Sequence, residues 1–169
     1  MELAEFNALP AADAAALVRV WAAIPSWVDG VVEGRPYESV DDLAHVARRE
    51  AVRWDEDDLD TALAHHPRIG ERAAGSNAEA TASRSEQSAM SDAKADDARA
   101  IADGNARYEE RFGRVFLIRA AGRSPADIRA ELHRRLTNDT DAELAEAIRQ
   151  LTEIALLRLR ADVKDETTP

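Results

Sequence analysis

Apolar residues recur three and four positions apart along most of this chain, the period of helices with one buried face. Ala14, Leu17, Val18 and Trp21 form such a stripe behind Pro10, which suits a first helical position. Ile24-Pro25-Ser26 interrupts it, and Trp27, Val31 and Val32 predict a second, short helix before the turn Gly34-Arg35-Pro36. Ser39, with Asp42 three residues on, reads as an N-cap opening a helix to about Trp54 that buries Leu43, Val46 and Ala47. A further helix spans about Asp55 to His65, with Leu59 and Leu63 inward. Pro67 ends it, because the residue before a proline is pushed out of helical geometry.

Residues 70–80 are small, polar and weakly patterned, so they read as a loop, and loops of that length are often functional. A short helix is expected over about Ser83 to Met90. A longer one follows over about Ala93 to Phe112, with Ala98, Ile101, Ala102, Asn105 and Tyr108 along one side. Gly113 suits its C-terminal cap. Val115-Phe116-Leu117-Ile118 alone looks extended, and it is too isolated to build a sheet. Ser124-Pro125-Ala126-Asp127 opens a helix to about Leu136. Thr140-x-x-Glu143 reads as a capping box that opens the last helix, to about Val163. The expected architecture is all-α: a single-domain bundle of seven or eight helices over residues 1–163, with no sheet and a frayed acidic tail at 164–169.

Composition narrows the function. The chain has 169 residues, 45% of them hydrophobic, enough for a packed core in one domain. Aromatics are 5%, and helix formers dominate. A formal net charge of -11 argues against nucleic acid and anionic membrane as partners. Zero cysteines remove disulfides, thiol nucleophiles and thiolate metal sites. No secretory leader or membrane-spanning run is visible, so a cytoplasmic protein is expected.

Candidate chemistry concentrates in His65-His66-Pro67-Arg68-Ile69-Gly70 and in Ser83-Arg84-Ser85-Glu86-Gln87. Pro67 stiffens the chain beside His66, and an imidazole titrates near neutral pH. The plain alternative is a histidine favoured by the negative end of a helix. Ser83, Glu86 and Gln87 share one helical face at i, i+3 and i+4, although Ser83-x-x-Glu86 is also a capping box. Arg158 continues the apolar stripe Leu144, Ile148, Leu151, Ala155 of the last helix. A guanidinium there either meets an anion or snorkels to the surface. His45 and His133 sit mid-helix, and no metal-binding spacing such as His-Glu-x-x-His occurs. No metal and no cofactor are expected.

His66-Pro67-Arg68-Ile69-Gly70, Ser83-Arg84-Ser85-Glu86-Gln87 and Asn105-x-x-Tyr108-x-x-x-Phe112-Gly113 occur in that order. Phe116-Leu117-Ile118, Arg135-Leu136-x-Asn138, and Ile154 with Arg158-Leu159 follow them. The ordered set, from about Leu9 to Val163, resembles the 2-oxo-4-hydroxy-4-carboxy-5-ureidoimidazoline (OHCU) decarboxylase family. That resemblance implies an all-helical enzyme that decarboxylates OHCU to (S)-allantoin without a cofactor, in urate catabolism. It implies His66 as catalytic acid/base and Glu86 as its carboxylate partner, pairing with the histidine or with substrate. It implies Pro67, Ser83, Gln87, Phe116, Ile118 and Arg158 around the substrate, and homodimers as a common state. Many relatives read Phe-Gly-Phe-Pro-Phe where this chain has Phe112-Gly113-Arg114-Val115-Phe116, so the pocket wall differs there. The competing readings are a non-catalytic helical binding module, and a decarboxylase drifted to a related ureido acid.

Overall fold

The structure is a computed structural model that describes residues 1–64, 66, 68–71, 78–87 and 95–165; the side chains of residues 79, 80, 84 and 86 lie outside the description. Nine helices occur among the described residues: α1 (Leu3–Ala8), α2 (Ala11–Trp21), α3 (Pro25–Glu33), α4 (Val40–Ala51), α5 (Glu56–Leu63), α6 (Ala78–Glu86), α7 (Ala95–Phe112), α8 (Pro125–Arg135) and α9 (Thr140–Asp162). The same residues contain no sheet; Glu2 and Lys164 form an isolated parallel bridge. The all-α expectation holds. The additional helix is α1, six residues long and too short to show a periodic stripe.

The chain folds as two compact units, one of residues 1–62 and 152–169, the other of residues 63–151. In the first unit Phe6, Val18, Trp21, Ile24, Val31, Leu43 and Leu159 are all buried. Phe6 packs on Trp21 at 5.7 Å between ring centres. Arg35 ties down the end of α1 through its Nη1, which donates to the carbonyls of Phe6 at 2.9 Å and Leu9 at 2.8 Å. The Tyr37 hydroxyl donates to the Val31 carbonyl at 2.6 Å, and burial pushes its pKa up to about 12. Ser39 caps α4 as expected, accepting from the Asp42 N–H at 3.0 Å. Lys164 and Asp165, at the start of the expected tail, are engaged. The Lys164 N–H donates to Met1 O at 3.1 Å, and Asp165 accepts from the Val40 N–H at 2.7 Å.

The second unit is built on α7 and α8. Ile69, Ile101, Tyr108, Phe116, Ile118, Ile128, Leu132 and Leu136 form its apolar cluster. The two helices approach closely at Gly104, where a Cβ would lie 2.5 Å from Leu132 Cδ2. Ser124 caps α8 with Asp127 in a reciprocal box, as its sequence predicts.

Two helix starts differ from expectation. α6 begins at Ala78, so the residues from 78 to 80 are helical rather than loop, and Ser83 lies inside the helix instead of capping it. Alanine at 78, 80 and 82 favours the earlier start. The expected extension to Met90 falls on residues 88–90, outside the described residues. α9 is capped by Asp139, whose Oδ1 accepts from the Ala142 N–H at 2.8 Å. Glu143 is therefore free of capping duty and turns inward, with 1% of its side chain exposed. α9 gives its residues up to Leu151 to the second unit and those from Thr152 to the first.

Between α7 and α8 the chain from 115 to 120 is neither helix nor strand. Side chains hold it instead. Arg135 Nη1 donates to Leu117 O at 2.6 Å, and the Arg119 N–H donates to Gln150 Oε1 at 2.9 Å. The Arg135 guanidinium also lies 4.6 Å from the Phe116 ring centre.

Candidate active site

α5 stops at Leu63, and the His66 N–H donates to Leu63 O at 3.0 Å, closing one turn beyond the helix. The chain then turns through Arg68, Ile69 and Gly70. Gly70 has φ +87°, a conformation that costs glycine little and L side chains much. The Glu71 N–H returns to Arg68 O at 2.9 Å. His66 is half-buried, and its Nε2 is shielded from solvent. Pro67 lies outside the described residues.

α6 brings its C-terminal end to this turn. Gln87 Oε1 accepts from the Gly70 N–H at 2.9 Å, which directs its Nε2 donors elsewhere. Ser83 is buried at 5% exposure, and its carbonyl accepts from the Gln87 N–H at 3.1 Å. Glu86 is the last residue of α6, three positions from Ser83, and its side chain is not described.

α7 braces the turn from the other side. Asn105 Nδ2 donates to Ile69 O at 3.0 Å. Glu109, one helical turn on, receives Arg68 in a two-pronged pair of 2.5 and 2.8 Å. That hydrogen-bonded pairing lowers the Glu109 carboxyl below the ordinary carboxylate value and raises the Arg68 guanidinium further. Arg68, Ile69, Gly70, Ile101, Asn105 and Glu109 line a cleft of about 320 Å³.

Phe116 and Ile118 are buried in the apolar cluster that also contains Ile69, so the turn and the 115–120 segment share one core. Behind them sits a buried polar group. Arg135 and Glu143 pair with 1% of each side chain exposed, the Tyr108 hydroxyl donates to Glu143 Oε1, and Asn138 donates to Glu143 Oε2 at 2.8 Å. Burial raises the Tyr108 pKa well above its ordinary value, so the phenol stays protonated.

In the second unit Gln87 thus reaches the turn that follows His66, Ser83 lies one helical turn before Gln87, and Phe116 and Ile118 share the apolar cluster with Ile69. Arg158 belongs to the first unit. It is 4% exposed, and its Nη1 donates to Val20 O at 2.9 Å. Its burial excludes snorkelling to the surface, and the partner of its Nη1 is a backbone carbonyl. The sequence assigns no contact at the turn to Asn105 or Glu109, and no buried polar cluster to Tyr108, Arg135 and Glu143. The signal existed: Asn105 interrupts the apolar stripe of α7, and Arg135 completes the Ile128, Leu132 stripe of α8. Among the described residues no three His, Asp or Glu side chains cluster as a metal site would require. No described helix is long and apolar enough to cross a membrane.

The described residues define a small all-α protein in which two carboxamides, from Gln87 and Asn105, hold the turn that follows His66. Residues 7–160 match the family model for OHCU decarboxylase, and the chain belongs to that family, whose members are carboxy-lyases. It is similar to the 2-oxo-4-hydroxy-4-carboxy-5-ureidoimidazoline decarboxylase of Haloferax volcanii, 29% identical over 126 residues that cover 74% of this chain and 73% of the relative. Its fold is similar to a crystal structure of OHCU decarboxylase in the presence of (S)-allantoin, with a TM-score of 0.71 and 23% identity over 85% of this chain and 94% of the other. It is also similar to a crystal structure of (S)-allantoin synthase, with a TM-score of 0.73 and 15% identity. That likeness covers 96% of this chain and 54% of the longer protein.

Proposed function

We propose that this protein decarboxylates OHCU to (S)-allantoin in urate breakdown, with His66 as the proton-transfer group. The carrying observation is the His66 turn, half-buried and held by Gln87 and Asn105, in a chain whose family match covers nearly its whole length.

The chemistry asks little beyond what the turn offers. The substrate carboxylate stands on a ring carbon next to a C=N bond. When the carbon–carboxylate bond breaks, carbon dioxide leaves and the electron pair enters that C=N system, whose nitrogen takes a proton. The ring hydroxyl then gives up its proton, its carbon becomes a carbonyl, and the neighbouring carbon accepts a proton on one face. The substrate is its own electron sink, so the reaction runs without a cofactor. The protein supplies orientation, charge neutralisation and a face-selective proton.

In this reading His66 takes the hydroxyl proton and its conjugate acid protonates carbon. Glu86 is the carboxylate partner, of His66 or of the ureido group. Ser83 and the Nε2 donors of Gln87 bind substrate polar atoms, Pro67 shapes the histidine, and the backbone near Phe116 and Ile118 lies along the ring. Arg158 enters by resemblance alone, as a guanidinium for a carboxylate or carbonyl oxygen. The enzyme works in the cytoplasm on a diffusible small molecule.

The test is circular dichroism at a wavelength sensitive to allantoin, with substrate made in place from urate by urate oxidase and hydroxyisourate hydrolase. Rapid growth of an optically active product on adding the protein is the expected result. A slow, racemic background unchanged by the protein overturns the proposal. Replacing His66 by Ala should lower kcat by about 10²–10⁴-fold, the usual share of a positioned acid/base, and leave the helical spectrum intact. A folded His66→Ala variant of full activity removes His66 from the mechanism.

A further inference from the structure

We propose that Asn105 is the positioning residue for the His66 turn: its amide donor fixes the Ile69 carbonyl and so sets where the imidazole stands. This rests on the reading of His66 given above.

Asn105 sits on the inward face of α7, 4% exposed, where neighbouring helical positions carry Ile101 and Tyr108. Its Nδ2 donates to Ile69 O, and because a carbonyl can only accept, the amide must face the turn with nitrogen. Its Oδ1 is buried and finds no hydrogen-bond partner among the described residues. An apolar side chain of the same shape would avoid that unsatisfied acceptor but strand the Ile69 carbonyl, so the two effects on stability roughly offset. What the amide uniquely provides is the donor to Ile69 O.

The target of that donor is specific. Ile69 is three residues beyond His66, its side chain is anchored in the core with Phe116 and Ile118, and Gly70 beside it is held by Gln87. Glu109, at i+4 from Asn105 on α7, grips Arg68. Successive residues 68, 69 and 70 are thus held by three side chains, and only the Asn105 bond is buried. A shift of the turn by one ångström would misplace an acid/base group enough to cost on the order of 10²-fold in rate.

The experiment compares wild type with Asn105→Leu and Asn105→Asp for kcat, KM, product enantiomeric ratio and unfolding midpoint. The Leu variant loses the unsatisfied acceptor but leaves the Ile69 carbonyl without its donor, so its midpoint should change little, while kcat falls about 10- to 100-fold with KM nearly unchanged. A kcat that stays at the wild-type level in a folded variant overturns the proposal. So does a loss of kcat that only follows a loss of folded protein. If Asn105→Leu does not fold, Asn105→Asp keeps the shape, and at a pH where that carboxyl is ionised it has no donor and must show the same split. Histidine ring resonances, read by NMR in the same variants, give a measure that needs no turnover. The His66 signals should move in Asn105→Leu while those of His45 and His133 stay in place. If wild type proves inactive on OHCU, the catalytic reading fails, and these resonances alone decide the positioning: unmoved His66 signals overturn it.

Discussion

Arg135 and Glu143 show how much one pair of side chains can organise. Each is almost wholly buried, and a buried charge is tolerable only when its partner and hydrogen bonds are complete. Glu143 receives Arg135, the Tyr108 hydroxyl and Asn138, and Arg135 also holds the Leu117 carbonyl. Arg135→Met would strand the Glu143 carboxylate in the core. That should destabilise the protein by about 3–5 kcal/mol, read from the midpoint of urea unfolding. Glu143→Gln keeps an acceptor for Tyr108 and Arg135 and should be milder. Equal losses from the two changes would mean that the charge pairing, not the hydrogen bonds that Gln retains, is what the cluster provides. None of this was legible from residue identity alone: Glu143 looked like the second half of a capping box. Only the structure shows Asp139 in the capping role. His66, Ser83 and Gln87 were legible because a histidine before proline and polar residues on one helical face are rare enough to stand out. Gln87 holds the turn through the Gly70 N–H, a long-range partnership that no local spacing encodes.

At the scale of elements, periodicity located most helices because each buries one stripe. Its failures were local. α1 is shorter than two turns, and alanine propensity carried α6 upstream of the serine that seemed to start it. The segment from Val115 to Ile118 is expected to be short and extended, but the anchoring of Leu117 by Arg135 and of Arg119 by Gln150 is invisible in the sequence, since those partners lie 18 and 31 positions away. The contact of α7 with α8 depends on Gly104, whose missing side chain admits Leu132, itself 1% exposed. Gly104→Val should push that leucine out of its place and cost about 1–3 kcal/mol of stability, as overpacked cores do. A lowered unfolding temperature would register it. A variant as stable as wild type would mean that Leu132 can retreat without loss.

Across the whole molecule the pH response follows from carboxyls whose pKa is lower in the folded state than in the unfolded chain. The carboxyls of Glu109, Glu131 and Asp127 are held below their ordinary values by hydrogen bonds from Arg68, Arg134 and Ser124. Glu146 is also lowered, with burial opposing and Arg134 prevailing. A carboxyl depressed in the folded state stabilises the fold above its unfolded value and stops doing so as pH falls through its folded one. The ordinary values are 4.5 for glutamate and 3.8 for aspartate. Stability from these groups should therefore be level near neutrality and decline once pH drops below about 4.5. Helical circular dichroism in partial urea across an acid series checks this. Stability that rises on acidification would contradict the assignments.

α7 also limits how the chain can change length. Asn105, Tyr108 and Glu109 keep one phase on the helix, toward Ile69, Glu143 and Arg68 respectively. An insertion or deletion of a single residue just before Asn105 would rotate everything beyond it by about 100° and break these ties together. The turn at 121–123, where Gly122 already adopts φ +79° and a Cβ would meet nothing, can absorb an extra residue at little cost. Descent with gaps should therefore spare α7 and accumulate length differences at that turn.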